Sequence, residues 1–271
     1  MSKNIVKKLK YLFLFFIYSA IILSGTFVGP DELYAYGKAS SFLFRALGAR
    51  LLTAEVYLLS NVRCGIENAS RPLDYSENLK PVWKDLRVDA GSLEDVFLII
   101  EPLDPTELFC THNGLWFEFR EDSPVSDGGG YKTYGLVCSG QKMKKNKDEE
   151  YFLCQFCSKE DYFKLAYYTE RNLRLYKLNL TAGQKKALFN NAIKTASGRG
   201  ANEKYHFIHN NCVNNMFELI NTVLPSYQRF NHWLVHRIIF NPVFCATDFN
   251  ELIFRLHGLI KETLPVFKAG H

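Results

Sequence analysis

The segment Tyr205-His206-Phe207-Ile208-His209-Asn210-Asn211-Cys212 runs straight into a stretch where Val213, Met216, Phe217, Ile220 and Val223 recur every three or four residues. That spacing predicts an amphipathic helix, and Asn210 or Asn211 is a natural N-cap for it. Cys212 then falls in the first helical turn. There the unpaired N–H groups and the positive end of the helix dipole favour a thiolate. The same N–H groups can stabilise the oxyanion of a tetrahedral intermediate, so one residue position offers a nucleophile and part of an oxyanion site. The alternative is a buried or disulfide-bonded cysteine. The odd total of seven cysteines, which leaves at least one unpaired within a chain, weighs against it.

A thiol nucleophile needs a base within hydrogen-bond reach, normally a histidine that can be remote in sequence. The candidates are His112, His206 and His209. The segment holding His206 and His209 reads as extended or looped, with no evident route to the helix start. His112 precedes an alternating stretch in which Leu115, Phe117 and Phe119 share one face and Trp116, Glu118 and Arg120 the other. By parity His112 opens that strand on the Trp116 side. A third polar group normally orients such a base. Glu118 shares the face but lies six residues along, about 20 Å in extended geometry. Tyr134, on the following strand, is one candidate neighbour, and a core tyrosine explains it equally well.

The elements that must hold these residues read as follows. Residues 39–59 mix apolar and basic types as a helix would, and 63–89, with Pro72 and Pro81, read as loop-rich. Val96 to Ile100 is a short apolar run, the pattern of a buried strand. The glycines at 128–130 mark a turn into a strand over 131–138, and Lys142 to Glu150 is a charged loop. Another strand covers 151–157, and Ser158 with Asp161 starts a helix carrying Tyr162, Phe163, Ala166 and Tyr167 inward. A strand over 174–180 follows. Thr181 to Gln184 fits a capping box for a helix buried through Leu188, Phe189, Ala192, Ile193 and Ala196. The expected class is α+β, an antiparallel sheet packed on helices.

Residues 1–10 are basic and Tyr11 to Pro30 carry no charge, the order of an export signal or a retained N-terminal anchor. Either places the remainder outside the cytoplasm, where disulfides persist. Cys154 and Cys157 form C-x-x-C, but no second pair completes a zinc set, so neither a metal nor an organic cofactor is implied. The charge of +5 includes four lysines before the apolar run, leaving the rest near neutral and without a nucleic-acid footprint. The aromatic and basic tail from Ser226, with Tyr227, Arg229, Phe230, Trp233, Arg237 and Phe240, reads as cover for the core or as a membrane-surface element. The expected organisation is 1–36 signal or anchor, 37–94 helical and loop-rich extension, 95–224 thiol domain and 225–271 helical extension.

Three features together carry a family resemblance: Cys110-Thr111-His112-Asn113-Gly114-Leu115-Trp116-Phe117, the later Leu178-Asn179-Leu180-Thr181 with Gln184, and Tyr205 followed by Asn210-Asn211-Cys212. The chain resembles the Lnb N-terminal periplasmic domain family, within the circularly permuted NlpC-like and papain-like superfamily, in which the histidine precedes the cysteine. The resemblance implies that His112 is the base and Cys212 the acyl-accepting nucleophile, with Asn210, Asn211 and Tyr205 in support. It also implies peptide, peptidoglycan or lipoprotein substrates of the cell envelope. These residues do not include the multi-span C-terminal part of the acyltransferase members, so the resemblance carries the thiol chemistry further than the lipoprotein reaction. Two other readings stand beside this one: a secreted, disulfide-rich binding module without catalysis, and a membrane-associated lipid acyltransferase.

Overall fold

The computed structural model describes residues 45–73, 79–103, 111–144, 150–198, 203–206, 210–231 and 247–269. The expected signal or anchor, Cys110, His209, Cys245, Trp233, Arg237 and Phe240 lie outside them. Eleven strands form one sheet. They are β1 (Gly48–Leu51), β2 (Val56–Glu67), β3 (Lys80–Asp89), β4 (Leu93–Pro102), β5 (Thr111–Phe119), β6 (Val125–Ser126), β7 (Lys132–Thr133), β8 (Gly135–Lys144), β9 (Glu150–Ser158), β10 (Arg174–Leu178) and β11 (Ile260–Thr263). Their order is β11-β10-β4-β5-β8-β9-β2-β3-β6-β7, with β1 beside β2. Every pairing is antiparallel except β2 with β9, which meet in parallel at Arg63 and Cys157. Four helices complete the described residues: α1 (Lys159–Tyr168), α2 (Ala182–Gly198), α3 (Cys212–Asn221) and α4 (Thr247–Leu256). The class is thus mixed α and β with a mostly antiparallel sheet.

The strands alternate strictly, so each face of the sheet builds its own core. One face gathers Leu98, Ile100, Leu115, Phe117, Phe119, Cys138, Phe152 and Phe156 under α2 and α3, which contribute Leu188, Phe189, Val213, Met216 and Phe217. The other gathers Phe97, Ile99, Trp116, Val137 and Cys157 under Tyr162 and Ala166 of α1. Phe189 of α2 lies edge-on to Phe117, Phe119 and Phe156 at centroid distances of 5.0, 5.5 and 6.2 Å, a geometry that favours aromatic pairs. Arg63 and Asp161 form a buried ion pair at 2.7 Å that ties β2 to α1.

Sequence reasoning holds for β4, β5, β9, β10, α1 and α2. Ser158 caps α1 by accepting the Asp161 N–H at 3.2 Å. The Thr181 and Gln184 side chains exchange bonds with each other's N–H at 2.9 and 3.3 Å, the expected capping box. Five expectations are corrected. From Gly48 the stretch read as helical is strand β1, a turn and strand β2, and much of the stretch read as loop is β2 and β3. Both strands are long enough to pair along most of their length, and that ladder outweighs local propensity. The strand over 131–138 is broken at Tyr134, where the Thr133 hydroxyl bonds the Gly135 carbonyl at 2.9 Å. The tail is not wholly helical: α4 is followed by β11, which extends the sheet beside β10. Tyr167 of α1 is exposed rather than inward. No helix among the described residues is long and apolar enough to cross a membrane.

Candidate active site

Helix α3 begins at Cys212, and the Asn211 side chain caps it by accepting the Asn214 N–H at 2.9 Å. The approach is braced by two backbone hydrogen bonds between His206 and Asn210, of 3.1 and 2.9 Å. Asn215 reaches back to the Asn210 side chain at 2.8 Å and the Asn211 carbonyl at 2.7 Å. Tyr205 packs on the core. The residues expected to support the site thus act on the chain's path into the helix, fixing where Cys212 sits.

The helix start lies directly on the sheet. Gly140 of β8 makes this possible, because a Cβ there would stand 3.0 Å from the Cys212 Cα and 2.5 Å from the Phe152 ring. The Cys212 Sγ lies 3.9 Å from the carbonyl oxygen of Thr111, the residue before His112. Cys64, Cys138, Cys154, Cys157 and Cys212 are all thiols. Disulfides among these five, as an oxidising compartment suggested, are therefore not present. Cys154 and Cys157 lie three apart on one strand and so face opposite cores, which rules out joint metal binding. No metal-binding cluster occurs among the described residues. Burial pushes the Cys64 thiol up to about 12, and a hydrogen bond to Cys154 together with burial raises that of Cys138. Cys212 is partly exposed, opens the helix, and its thiol donates to the Thr111 carbonyl.

His112 is on the Trp116 side of β5, as its parity predicted, but α3 packs on the other side. The ring and the thiol thus lie on opposite faces of the sheet. His112 pairs across the ladder with Glu101. The Glu101 carboxylate in turn takes bonds from Tyr162 at 3.0 Å and Arg171 at 3.1 Å. Burial lowers the imidazole pKa below 6.5; the Glu101 carboxylate opposes this and the Arg171 guanidinium adds to it. Tyr134 is not the orienting group, since it lies beyond the far end of β5, where its carbonyl accepts the Phe119 N–H. The polar side chain beside the ring is instead Gln141 of β8. Its Nε2 is 3.4 Å from His112 Nε2 and 2.9 Å from Ser139 Oγ. Sequence reasoning missed it because the turn excursion through β6 and β7 hides the register of β5 against β8. A shallow cleft of about 430 Å³ beside Arg87, Asp89, Ser126 and Lys132 lies on β3 and its neighbours, four strands from β5.

The architecture defines a mixed α and β domain whose central sheet seats a helix opened by a capped cysteine. Residues 80–241 match the Lnb N-terminal periplasmic domain family, and the chain belongs to that family. The match begins earlier than residue 95, at the first residue of β3. It makes the chain one of a family of periplasmic, hence exported, domains. No curated protein and no solved structure matches the chain.

Proposed function

We propose that the chain is an exported thiol enzyme of the permuted papain-like type, with Cys212 as nucleophile and His112 as base. Its substrates are amides or esters of envelope peptides or lipoproteins. The observation that carries this reading is the Cys212 thiol at a capped helix start, 3.9 Å from the carbonyl that precedes His112. The sulfur attacks the acyl carbonyl, its proton passes to the imidazole, and the C–S bond forms as the C–N or C–O bond breaks. The imidazolium then protonates the departing amine or alcohol, and water or an amine resolves the thioester.

Gln141 fits the orienting role. Turning its amide end for end, an assignment set by the hydrogen-bond network, lets Oε1 accept from both His112 Nε2–H and Ser139 Oγ–H. The His112 Nδ1 lone pair is then left for the thiol proton. In this structure the ring lies on the face of β5 opposite the sulfur. That separation favours a second reading, a periplasmic binding module without catalysis. Thiol-probe labelling of the native protein from pH 5 to 9, with site mapping and a His112→Ala control, separates the two. Selective reaction at Cys212 with an apparent pKa below the ~8.5 of a free thiol, rising in the control, supports the enzyme. An unreactive Cys212, or one indifferent to His112, supports the binding module. A membrane-associated lipid acyltransferase would share the thioester step and would partition into detergent.

A further inference from the structure

Asn113 and Thr111 share the face of β5 that carries α3. Asn113 is wholly buried, and neither its Nδ2 nor its Oδ1 has a hydrogen-bond partner; the Thr111 hydroxyl is buried and equally unpartnered. Their position explains what these groups are for. Gly114 pairs with Ser139, so one step along the ladder sets Asn113 across from Gly140, on which the Cys212 backbone rests. Thr111, two residues back on the same face, is the residue whose carbonyl lies beside Sγ. Two buried polar side chains thus lie on the face of β5 that meets the Cys212 helix start. A donor kept dry and unpaired in the resting state is the arrangement that stabilises charge when it develops, because no reorganisation is needed at that moment.

We infer that the Asn113 amide, with the Thr111 hydroxyl beside it, hydrogen-bonds the Cys212 sulfur once it is ionised, making Asn113 a thiolate-stabilising residue of the site. The helix dipole supplies the sulfur's surroundings from above and Asn113 from the sheet below. The titratable groups on the surrounding elements include His112 on β5, Cys138 on β8, Cys154 on β9, and Glu203, Lys204, Tyr205 and His206 in the segment entering α3. Of these, Glu203 and Lys204 are tied to β9 by the bond from the Phe152 N–H to the Glu203 carbonyl and by the bridge between Tyr151 and Lys204.

This inference rests on Cys212 being the reactive thiol, and one experiment distinguishes the two failures. Iodoacetamide labelling rates at Cys212 are measured against pH in the full chain for the wild type, Asn113→Ala, Asn113→Asp and Thr111→Val. The expected result is a depressed wild-type pKa that rises by about one unit in Asn113→Ala, a tenfold loss of thiolate below the pKa. Asn113→Asp should raise it further, because a carboxylate repels the thiolate, and Thr111→Val should raise it less. A packing role alone would lower the melting temperature and leave the pKa in place. Folded variants with the wild-type pKa overturn the inference while sparing the thiol reading; an ordinary, sluggish thiol in the wild type overturns both. If Asn113→Ala does not fold, Thr111→Val decides, and an unchanged pKa there counts against the inference.

Discussion

Gly140→Ala tests whether the helix start is seated on β8. An added Cβ would lie 2.5 and 2.7 Å from two carbons of the Phe152 ring and 3.0 Å from the Cys212 Cα. Ordinary contacts between carbons begin near ~3.5 Å, so the ring must retreat by about 1 Å and the helix backbone by about half that. Phe152 is fully buried, and Val213, just beyond Cys212, is almost so, which leaves little room to yield. Overpacking of this kind costs about 1–3 kcal/mol. At about 2–4 °C per kcal/mol for a chain of this size, a 2 kcal/mol loss lowers the melting temperature by about 4–8 °C. Gly183→Ala is the control: it lies in the first turn of α2 with nothing within 4 Å of the added methyl, and should be neutral or slightly stabilising. Calorimetry on both variants, with the Cys212 alkylation rate read alongside, checks the argument. A Gly140→Ala protein that melts with the wild type and alkylates at the same rate would refute the seating of α3 on the sheet.

His112 has a pKa lowered by burial, so the folded state binds fewer protons than the unfolded chain below pH 6.5, and the associated stability is lost as pH falls through the folded value. Its ring resonances should titrate below pH 6.5 by NMR, and lower still in Glu101→Gln, which removes the carboxylate that opposes the shift. Asp161→Ala removes the carboxylate from the buried Arg63–Asp161 pair and should cost about 3–5 kcal/mol in denaturant unfolding. Thr181→Ala removes the hydroxyl that accepts the Gln184 N–H and should cost about 1 kcal/mol by the same assay.

What was legible in the sequence was local. Asn211 before Cys212, Thr181 before Gln184 and Ser158 before Asp161 each announce a helix start through their own side-chain bonds, and all three helices form there. The parity of His112 with Trp116 was legible too, since alternation needs only the strand itself. What failed to show was anything set by a partner strand. Residues from Gly48 to Asp89 misread as helix and loop because the β2 and β3 ladder, not intrinsic preference, decides them. Gln141 and Gly140 became visible only with the register of β5 against β8. The stretch 120–134 between those strands detours through β6 and β7, so no hairpin rule could supply it.

Register also decides which side chains of β5 face Cys212. Because side chains alternate along β5, Thr111 and Asn113 address the Cys212 side while His112, between them, addresses Glu101 and Gln141. A slip of one residue would exchange the two sets, bringing an imidazole under the helix start and an amide to the polar array. Leu115, Phe117 and Phe119 oppose that slip. They are buried against α2 and α3, whereas Trp116 stacks on Phe97 at 4.3 Å and lies under Lys159 at 4.0 Å on the other side. Exchanging them would put Glu118 into the apolar core and strand the Lys159 ammonium that pairs with it at 3.4 Å. The wide aromatic half of the strand thus holds its polar start in place. The polarity around the Cys212 sulfur is in this way fixed by residues up to eight positions away from Thr111.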